Sequence, residues 1–459
     1  MYKLAIRFLS LILVVVPALC QQAAPQVEEV SADYSLEVNG RAVPVYTARV
    51  NDAPFDFLDH GGTYSFATFD FSKRANIKIR SRRVLQTARI RPLSKGLRHS
   101  LIDWHTTMVT LDKPCQFSFE PGGKRRPLLI FANPPQANVP KTGDPNVIYY
   151  GPGVHRPSSG VVEVKSHQTL YVAEGAVLQA AVVMRNAENA AVRGRGIICG
   201  NSWPHTKGPA TYLVNIHDSK NVAIEGVVLR GAYWWTVGIE NSEYVSIDNV
   251  KICGGRLFND DGIDPINSRH VYIRDCFLRT DDDCIALKGM RREWGDLDDI
   301  RVERSVLWAD RALIVRLACE SNAAFMRNLV FRDLDIIHFV ATAFYFMPGE
   351  DMTVRNVLFE NIRMEGTGQG QLMEIRAASE CPSPKMLGHI EDVLFKNIRL
   401  VGEPGEYKIT IEGRDDSHQV RNLTIEDMTI LGQPLAEDSK YLRMGKYVTG
   451  FSVTARGAR

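Results

Sequence analysis

From Val222 to Ile430 one short phrase recurs: apolar-x-apolar, a turn residue, then apolar-x-apolar. Its copies begin at Val222, Val245, Val271, Ile300, Leu329, Val357, Val393 and Leu423, spaced 23 to 36 residues apart. Within each copy the apolar positions alternate with period 2, as on a strand with one buried face. An α-solenoid of similar spacing would show a period of 3.6. The turn position holds Gly226, Asn249, Asp275, Arg304, Asp333, Asn361, Asn397 and Asp427. All but Arg304 are Gly, Asn or Asp, the residues that tolerate left-handed backbone, so the chain bends there from one sheet into the next. A strand unit that can bury its face only against its neighbours dictates a stacked solenoid, and unequal spacings become loop insertions. The expectation is an all-β chain whose long part is a parallel β-helix of about ten coils.

Two acidic clusters lie inside this repeat. One is Asn259-Asp260-Asp261-Gly262-Ile263-Asp264; the other is Asp281-Asp282-Asp283-Cys284-Ile285-Ala286-Leu287-Lys288. Asp261 to Asp283 is a step of 22, about one coil. Stacked coils would set Asp261 under Asp283, roughly 5 Å away, with Asp260 and Asp282 as a neighbouring pair. Ten residues back from Val245 is Trp235, and ten back from Val271 is Asp261. The expected rungs are therefore Trp234-Trp235, Asp260-Asp261, Asp282-Asp283 and Asp310-Arg311, the last two placed by the apolar text that follows them. Carboxylates this close cannot all ionise freely, so at least one pKa must rise. Such a group suits general acid/base hydrolysis of a glycosidic bond. A solvated acidic turn or a calcium site is the plain reading of one Asp pair, but it explains poorly two clusters at coil spacing.

The rest of the chain frames this repeat. The lysine and arginine at positions 3 and 7 precede the apolar run 8–16, which is too short to span a bilayer and reads as an export signal cleaved after Cys20. The protein is then secreted or periplasmic. A lipidated Cys20 is the second reading, which Leu19 fits poorly. Residues 21–149 carry short alternating segments and an Asn39-Gly40 hairpin turn, the pattern of a β-sandwich. Prolines 134, 135, 140 and 145 and the Gly151-Pro152-Gly153 corner end it, leaving 150–459 for the β-helix. Arg80, Arg82, Arg83, Arg89, Arg91, Lys95 and Arg98 read as a solvated basic face. A net charge of +2 gives no ground for a nucleic-acid partner and is compatible with an anionic polysaccharide. No later segment is apolar enough to cross a membrane, and a monomer is expected. The eight cysteines match no zinc pattern, and Cys276 and Cys284 fall at inward positions as core fillers. His217, His270 and His338 show no catalytic or metal spacing.

Three motifs resemble glycoside hydrolase family 28, the polygalacturonases. They are Arg230-Gly-Ala-Tyr-Trp-Trp-Thr-Val237, Asn259-Asp-Asp-Gly-Ile-Asp264, similar to Asn-Thr-Asp-Gly, and Asp281-Asp-Asp-Cys-Ile-Ala286, similar to Gly-Asp-Asp-Cys-x-Ala. The resemblance spans about 150–435 and implies a right-handed, pectin-lyase-like β-helix. Two departures stand out. Asp310-Arg311-Ala312 replaces the family's Gly-His-Gly, and Ala343-Phe-Tyr-Phe346 replaces its Arg-Ile-Lys, which grips a uronate carboxylate. A leading β-sandwich and the stretch Val306–Val315 lean instead towards the related family 49 dextranases and isopullulanases.

The resemblance assigns Asp282 as general acid and Asp261 and Asp283 as the pair that orients and deprotonates water. The physics of a middle carboxyl hemmed in by others agrees with a proton retained there. Water held by two carboxylates on one side implies inversion. Trp235 and Tyr345 are expected to stack on sugar rings, and Lys288 and Arg316 to line the cleft wall. Arg311 either contacts substrate or pairs with the carboxylates. No metal or organic cofactor is called for. The polysaccharide substrate is galacturonan-like, with an α-glucan as the alternative. A calcium-dependent lyase and a non-catalytic β-helix binding protein are the competing classes.

Overall fold

The computed structural model describes residues 29–50, 63–85, 87–378 and 385–455. The leader, Cys20 and Cys381 lie outside them. Three columns of parallel strands wind into a β-helix. One column is an eleven-stranded sheet running from Val161–Glu163 through Val237–Glu240, Ile263–Ile266, Ile285–Gly289, Val315–Ser321 and Phe344–Met347 to Leu442–Met444. The other two merge through their bends into one 22-stranded sheet. Val222 stands opposite Val245, then Val271, Ile300, Leu329, Val357, Val393 and Leu423 in turn. All eight copies read from the sequence thus share one ladder position. Earlier coils extend the stack, with Leu170 opposite Val192 and Val192 opposite Ile224.

The corners explain why the coils stay in register. Every turn residue of the repeat is left-handed, from Gly226 at φ +82° to Arg304 at +50°. A second left-handed column, one residue before each copy, comprises Asn221, Tyr244, His270, Asp299, Asn328, Asn356, Asp392 and Asn422. Side chains then bond from coil to coil: Asn361 Nδ2 donates to Asp333 Oδ1 at 3.0 Å, and Asn397 Nδ2 to Asn361 Oδ1 at 2.7 Å. Inside, Phe359 lies between Phe331 and Phe395 with ring centroids 4.5 and 4.8 Å away. Cys276 and Cys284 are buried free thiols in this core, as expected, and Cys319 is disulfide-bonded. Among the described residues no helix is long and apolar enough to cross a membrane.

Two five-stranded sheets precede the helix. One is antiparallel, in the order Arg41–Val43, Tyr34–Val38, Ala75–Ser81, Thr106–Leu111, His99–Asp103. The other runs Tyr46–Ala48, Tyr64–Asp70, Leu128–Asn133, Cys115–Lys124, Arg89–Arg91, with Leu128–Asn133 parallel to Tyr64–Asp70. The outer face of this second sheet (Tyr64, Phe66, Leu129, Phe131) packs on the helix at Val177, Ile197, Val228, Phe277 and Val306. Arg91, expected on a solvated face, is instead buried between Glu120 of this sheet and Glu365 of the helix. Burial would raise Glu120, but His338 and Arg91 outweigh it and hold its carboxyl down at about 2. Arg80, Arg82, Arg83, Arg89 and Arg98 are exposed.

Asn361 combines a left-handed corner with two inter-coil hydrogen bonds. Asn361→Gly keeps the bend and should lower stability by about 1–2 kcal/mol in urea unfolding. Asn361→Val adds strain at positive φ and should lower it by about 2–4 kcal/mol. Equal losses would show that the corner conformation contributes nothing.

Candidate active site

The two acidic clusters meet as their spacing requires. Ile263 faces Ile285 and Ile266 faces Lys288, an offset of 22. Gly262 N–H donates to Asp283 O at 2.8 Å, and Thr236 N–H to Asp261 O at 2.7 Å, which sets Trp235 one coil before Asp261. A Cβ on Gly262 would lie 2.3 Å from the carbonyl oxygen of Cys284, so only glycine lets these coils close up. The next coil differs from expectation. Ile285 faces Val315, and Ala312 N–H donates to Asp281 O at 3.2 Å. Arg311 therefore stands level with Asp281, two residues from the expected rung. The apolar run 312–315 reads as strand in either phase, and the backbone selects Ile314-Val315 against Cys284-Ile285. Arg311 still reaches the acids: its Nε is 2.7 Å from Asp281 Oδ2 and its Nη2 is 2.6 Å from Asp282 Oδ2.

Six aspartate carboxyls converge here with three cations laced between them, and the Glu320 carboxyl adds to the field on Asp264, Lys288 and Arg316. Lys288 Nζ lies 3.0 Å from Asp261 Oδ2 and 3.5 Å from Asp264 Oδ2. Arg316 Nη1 lies 3.1 Å from Asp283 Oδ2, and Leu313 N–H donates to the other oxygen at 3.0 Å. Asp260 is fully enclosed and accepts from the backbone N–H groups of Gly255 and Asp281, each at 2.6 Å. Asp282 is the most exposed of the six at 8 %, and Asn259 Nδ2 lies 3.3 Å from it.

Burial is the first cause of every shift in this cluster. It lifts Asp264 to about 7 against the pull of Lys288, and Asp281 to about 6 against Arg311. It lifts Asp283 to about 6, with Asp282 adding to it. Asp260 and Asp261 are pushed well above the ordinary carboxylate range, Asp260 with help from Asp281. Burial alone would lower Lys288, but Asp261 and Asp264 outweigh it and hold the ammonium above the ordinary lysine range.

The expected wall residues divide into two kinds. Lys288 is not on the wall: it is 1 % exposed, with Nζ 3.3 Å from the centre of the Trp235 ring, which roofs it. Trp235 itself stacks on Tyr212 at 5.4 Å and keeps 8 % exposure, so it is more roof than open platform. Trp234 is the more accessible of the two tryptophans. Arg316 and Tyr345 do line one outward row, paired in register, with the guanidinium 6.0 Å from the ring centre. Asp264, outside the catalytic trio that the resemblance implies, shares the outward face with Lys288 and belongs to the cluster. The period-2 parity from Asp264 to Ile266, which faces Lys288, carried that signal. Asp281 and Asn259 stand inside the two motifs, but no local pattern marks their contacts with Arg311 and Asp282.

Comparison with known proteins follows this geometry. The sequence profile of glycosyl hydrolases family 28 matches residues 157–446. A probable polygalacturonase of Arabidopsis thaliana is 29 % identical over 109 residues, 23 % of this chain and 24 % of its own length. The polygalacturonase QRT2 of the same plant is 22 % identical over 236 residues, 48 % of this chain and 52 % of its own. The chain thus spans between a quarter and a half of these relatives. Among solved structures, Dex49A from Penicillium minioluteum superposes with a TM-score of 0.67 at 14 % identity, covering 94 % of this chain and 95 % of that one. An exopolygalacturonase from Thermotoga maritima superposes with a TM-score of 0.54 at 19 % identity, covering 68 % and 84 %. The fold is the right-handed parallel β-helix of these enzymes, and the match to Dex49A takes in the leading sheets as well.

The raised carboxyl groups make stability depend on pH. The native state binds protons that the unfolded chain, with ordinary aspartates near ~4, does not. Their contribution is full below pH ~4 and is lost as pH rises through 6 to 7, the range of Asp281, Asp283 and Asp264. Lys288→Met leaves Asp261 and Asp264 without a cation and should cost about 3–5 kcal/mol at pH 7.5. The loss should shrink at pH 5, where Asp264 is protonated. A pH-independent loss in denaturant titrations would refute the charge argument.

Proposed function

The chain belongs to the glycosyl hydrolases of family 28, and from that premise we propose that it hydrolyses a polysaccharide by single displacement with inversion at the anomeric carbon. The observation that carries this is the convergence of Asp261, Asp282 and Asp283 on adjoining coils, with Asp282 the one turned most to solvent. Asp282 donates its proton to the glycosidic oxygen as the bond to the anomeric carbon breaks. Asp261 and Asp283 hold a water, and Asp283 takes its proton as its oxygen bonds to that carbon from the opposite face. Burial lifts Asp283 to about 6, which makes it a stronger base than an ordinary aspartate while leaving it ionised at neutral pH. Arg311 positions Asp282 through its 2.6 Å contact, and Tyr345 offers a half-buried ring to a sugar face.

Galacturonan is the first substrate reading, because the family and the matched relatives point to it. One observation favours a neutral α-glucan as the second: Lys288, Arg311 and Arg316 are all engaged by the site's own carboxylates. An acidic sugar would meet six aspartate carboxyls and Glu320 against these three cations. Hydrolysis assays on pectic and glucan polysaccharides with product sizing separate the two. Products that absorb in the ultraviolet would mark a lyase and overturn the hydrolytic reading.

Asp282→Asn should lower kcat by about 10²–10⁴-fold with an unchanged circular dichroism spectrum. A variant retaining a tenth of the turnover would remove Asp282 from the role of acid. Proton NMR of the first product should show the inverted anomer; retention would rule out the water-activating pair.

A further inference from the structure

Away from the acids, one corner of the solenoid gathers three ligand-type side chains from three successive coils. Asp351 lies in the turn after Phe344–Met347, His389 opens the strand His389–Glu403, and His418 stands just before Val420–Ile430. Register brings them together: Thr353 faces His389, and Ile390 faces Val420. One ligand atom from each lies within 4.8 Å of the others. His418 Nε2 is 3.4 Å from Asp351 Oδ1, and the two imidazoles stack at 5.0 Å.

The surroundings orient His418. Asp415 Oδ1 lies 2.8 Å from its Nδ1, and the backbone N–H groups of Ser417 and His418 donate to that same oxygen, each at 2.9 Å. A carboxylate accepting from Nδ1–H leaves the Nε2 lone pair aimed at Asp351. This is the outer partner that holds a metal-bound histidine. The corner also attracts a cation already, since Lys385 Nζ sits 2.7 Å from Asp351 Oδ2. Lys385 is exposed, and its flexible stem can leave.

We propose that Asp351, His389 and His418 form a zinc(II) site, in which the metal displaces the Lys385 ammonium. Two imidazoles and one carboxylate are a borderline donor set. They suit zinc better than calcium or magnesium, which take oxygen ligands, and among the described residues no thiolate of a copper(I) site joins the group. Three protein ligands leave the fourth tetrahedral position to water. The site clasps three coils to one another at a corner where main-chain ladders and polar side-chain contacts such as Asn422–Asp392 already join them, so its action is mechanical. It is independent of the chemistry at Asp282.

The test uses the full chain, stripped with chelator and titrated with zinc chloride by calorimetry. About one equivalent should bind, and saturating zinc should raise the melting midpoint by about 2–5 °C. His389→Ala and His418→Ala should each weaken binding more than tenfold, and Asp415→Asn about tenfold through orientation alone. Lys385→Ala should tighten it, because the competing ammonium is gone. Unchanged melting of the variants in chelator verifies that they fold. Zinc binding that His389→Ala leaves unaltered would overturn the site. So would saturable binding of calcium in preference to zinc, absence of binding, or binding seen only in Lys385→Ala, which would mean that the native corner is closed by its own lysine.

Discussion

The inter-coil hydrogen-bond ladder is the constraint from which the rest follows. Parallel strands sit about 4.8 Å apart, so residues a full coil apart in sequence become nearest neighbours in space. The ladder brings Asp261 beside Asp283, stacks Phe331, Phe359 and Phe395, and lines up Asp351, His389 and His418. It also has no tolerance for slip. A shift of one residue would turn each inward Val or Ile outward. The two left-handed corner columns are the device that prevents this, because each fixes where a coil must bend.

That rigid frame lets the chain enclose charge that would otherwise stay in water. Taking a carboxylate out of water costs several kcal/mol unless a partner compensates it. Lys288, Arg311 and Arg316 compensate in part, and protons shared among the remaining acids do the rest. The compensation is uneven. Lys288 is buried under Trp235 and serves two acids, whereas Arg311 and Arg316 are partly open to solvent. Asp260 and Asp261 are held farthest from their ordinary ionisation, and Asp282 keeps the largest contact with solvent among the six aspartates, at 8 %.

Much of this was legible in the sequence, for a physical reason. Period-2 alternation and Gly, Asn or Asp corners are local signals, and all eight copies fell on one ladder position. The second corner column was hidden because Tyr244 and His270 are not turn-forming types; the bend is imposed on them by the strands on either side. Arg311 stands two residues from the rung its sequence suggests, because an apolar run of four has no unique phase. For Lys288, parity gives the side of the sheet that the residue faces, but not the Trp235 ring that covers it. Arg91 looked solvated because a sheet-to-helix contact involves pairs such as Arg91 and Glu365 that no local pattern links. The metal-ligand corner escaped for a kindred reason. Its spacing is the length of a coil, which no short ligand motif contains.

The leading sheets decide which face of the helix is free to act. They cover the column that includes Val228, Phe277 and Val306. Glu120 links the contact to His338 of the helix, and Arg91 links it to Glu365. The eleven-stranded sheet lies outside that contact, and along it Asp264, Arg316 and Tyr345 share one outward face, with Asp264 fully covered. A glycan lying along this sheet would cross the coils one at a time and meet the charge pattern in order: enclosed acids first, then the Arg316 guanidinium, then the Tyr345 ring. Specificity on such a surface rests on which cation remains available to the sugar. Here the carboxylates have first claim on Lys288, Arg311 and Arg316, so an acidic sugar must compete for its grip with the residues that would cleave it.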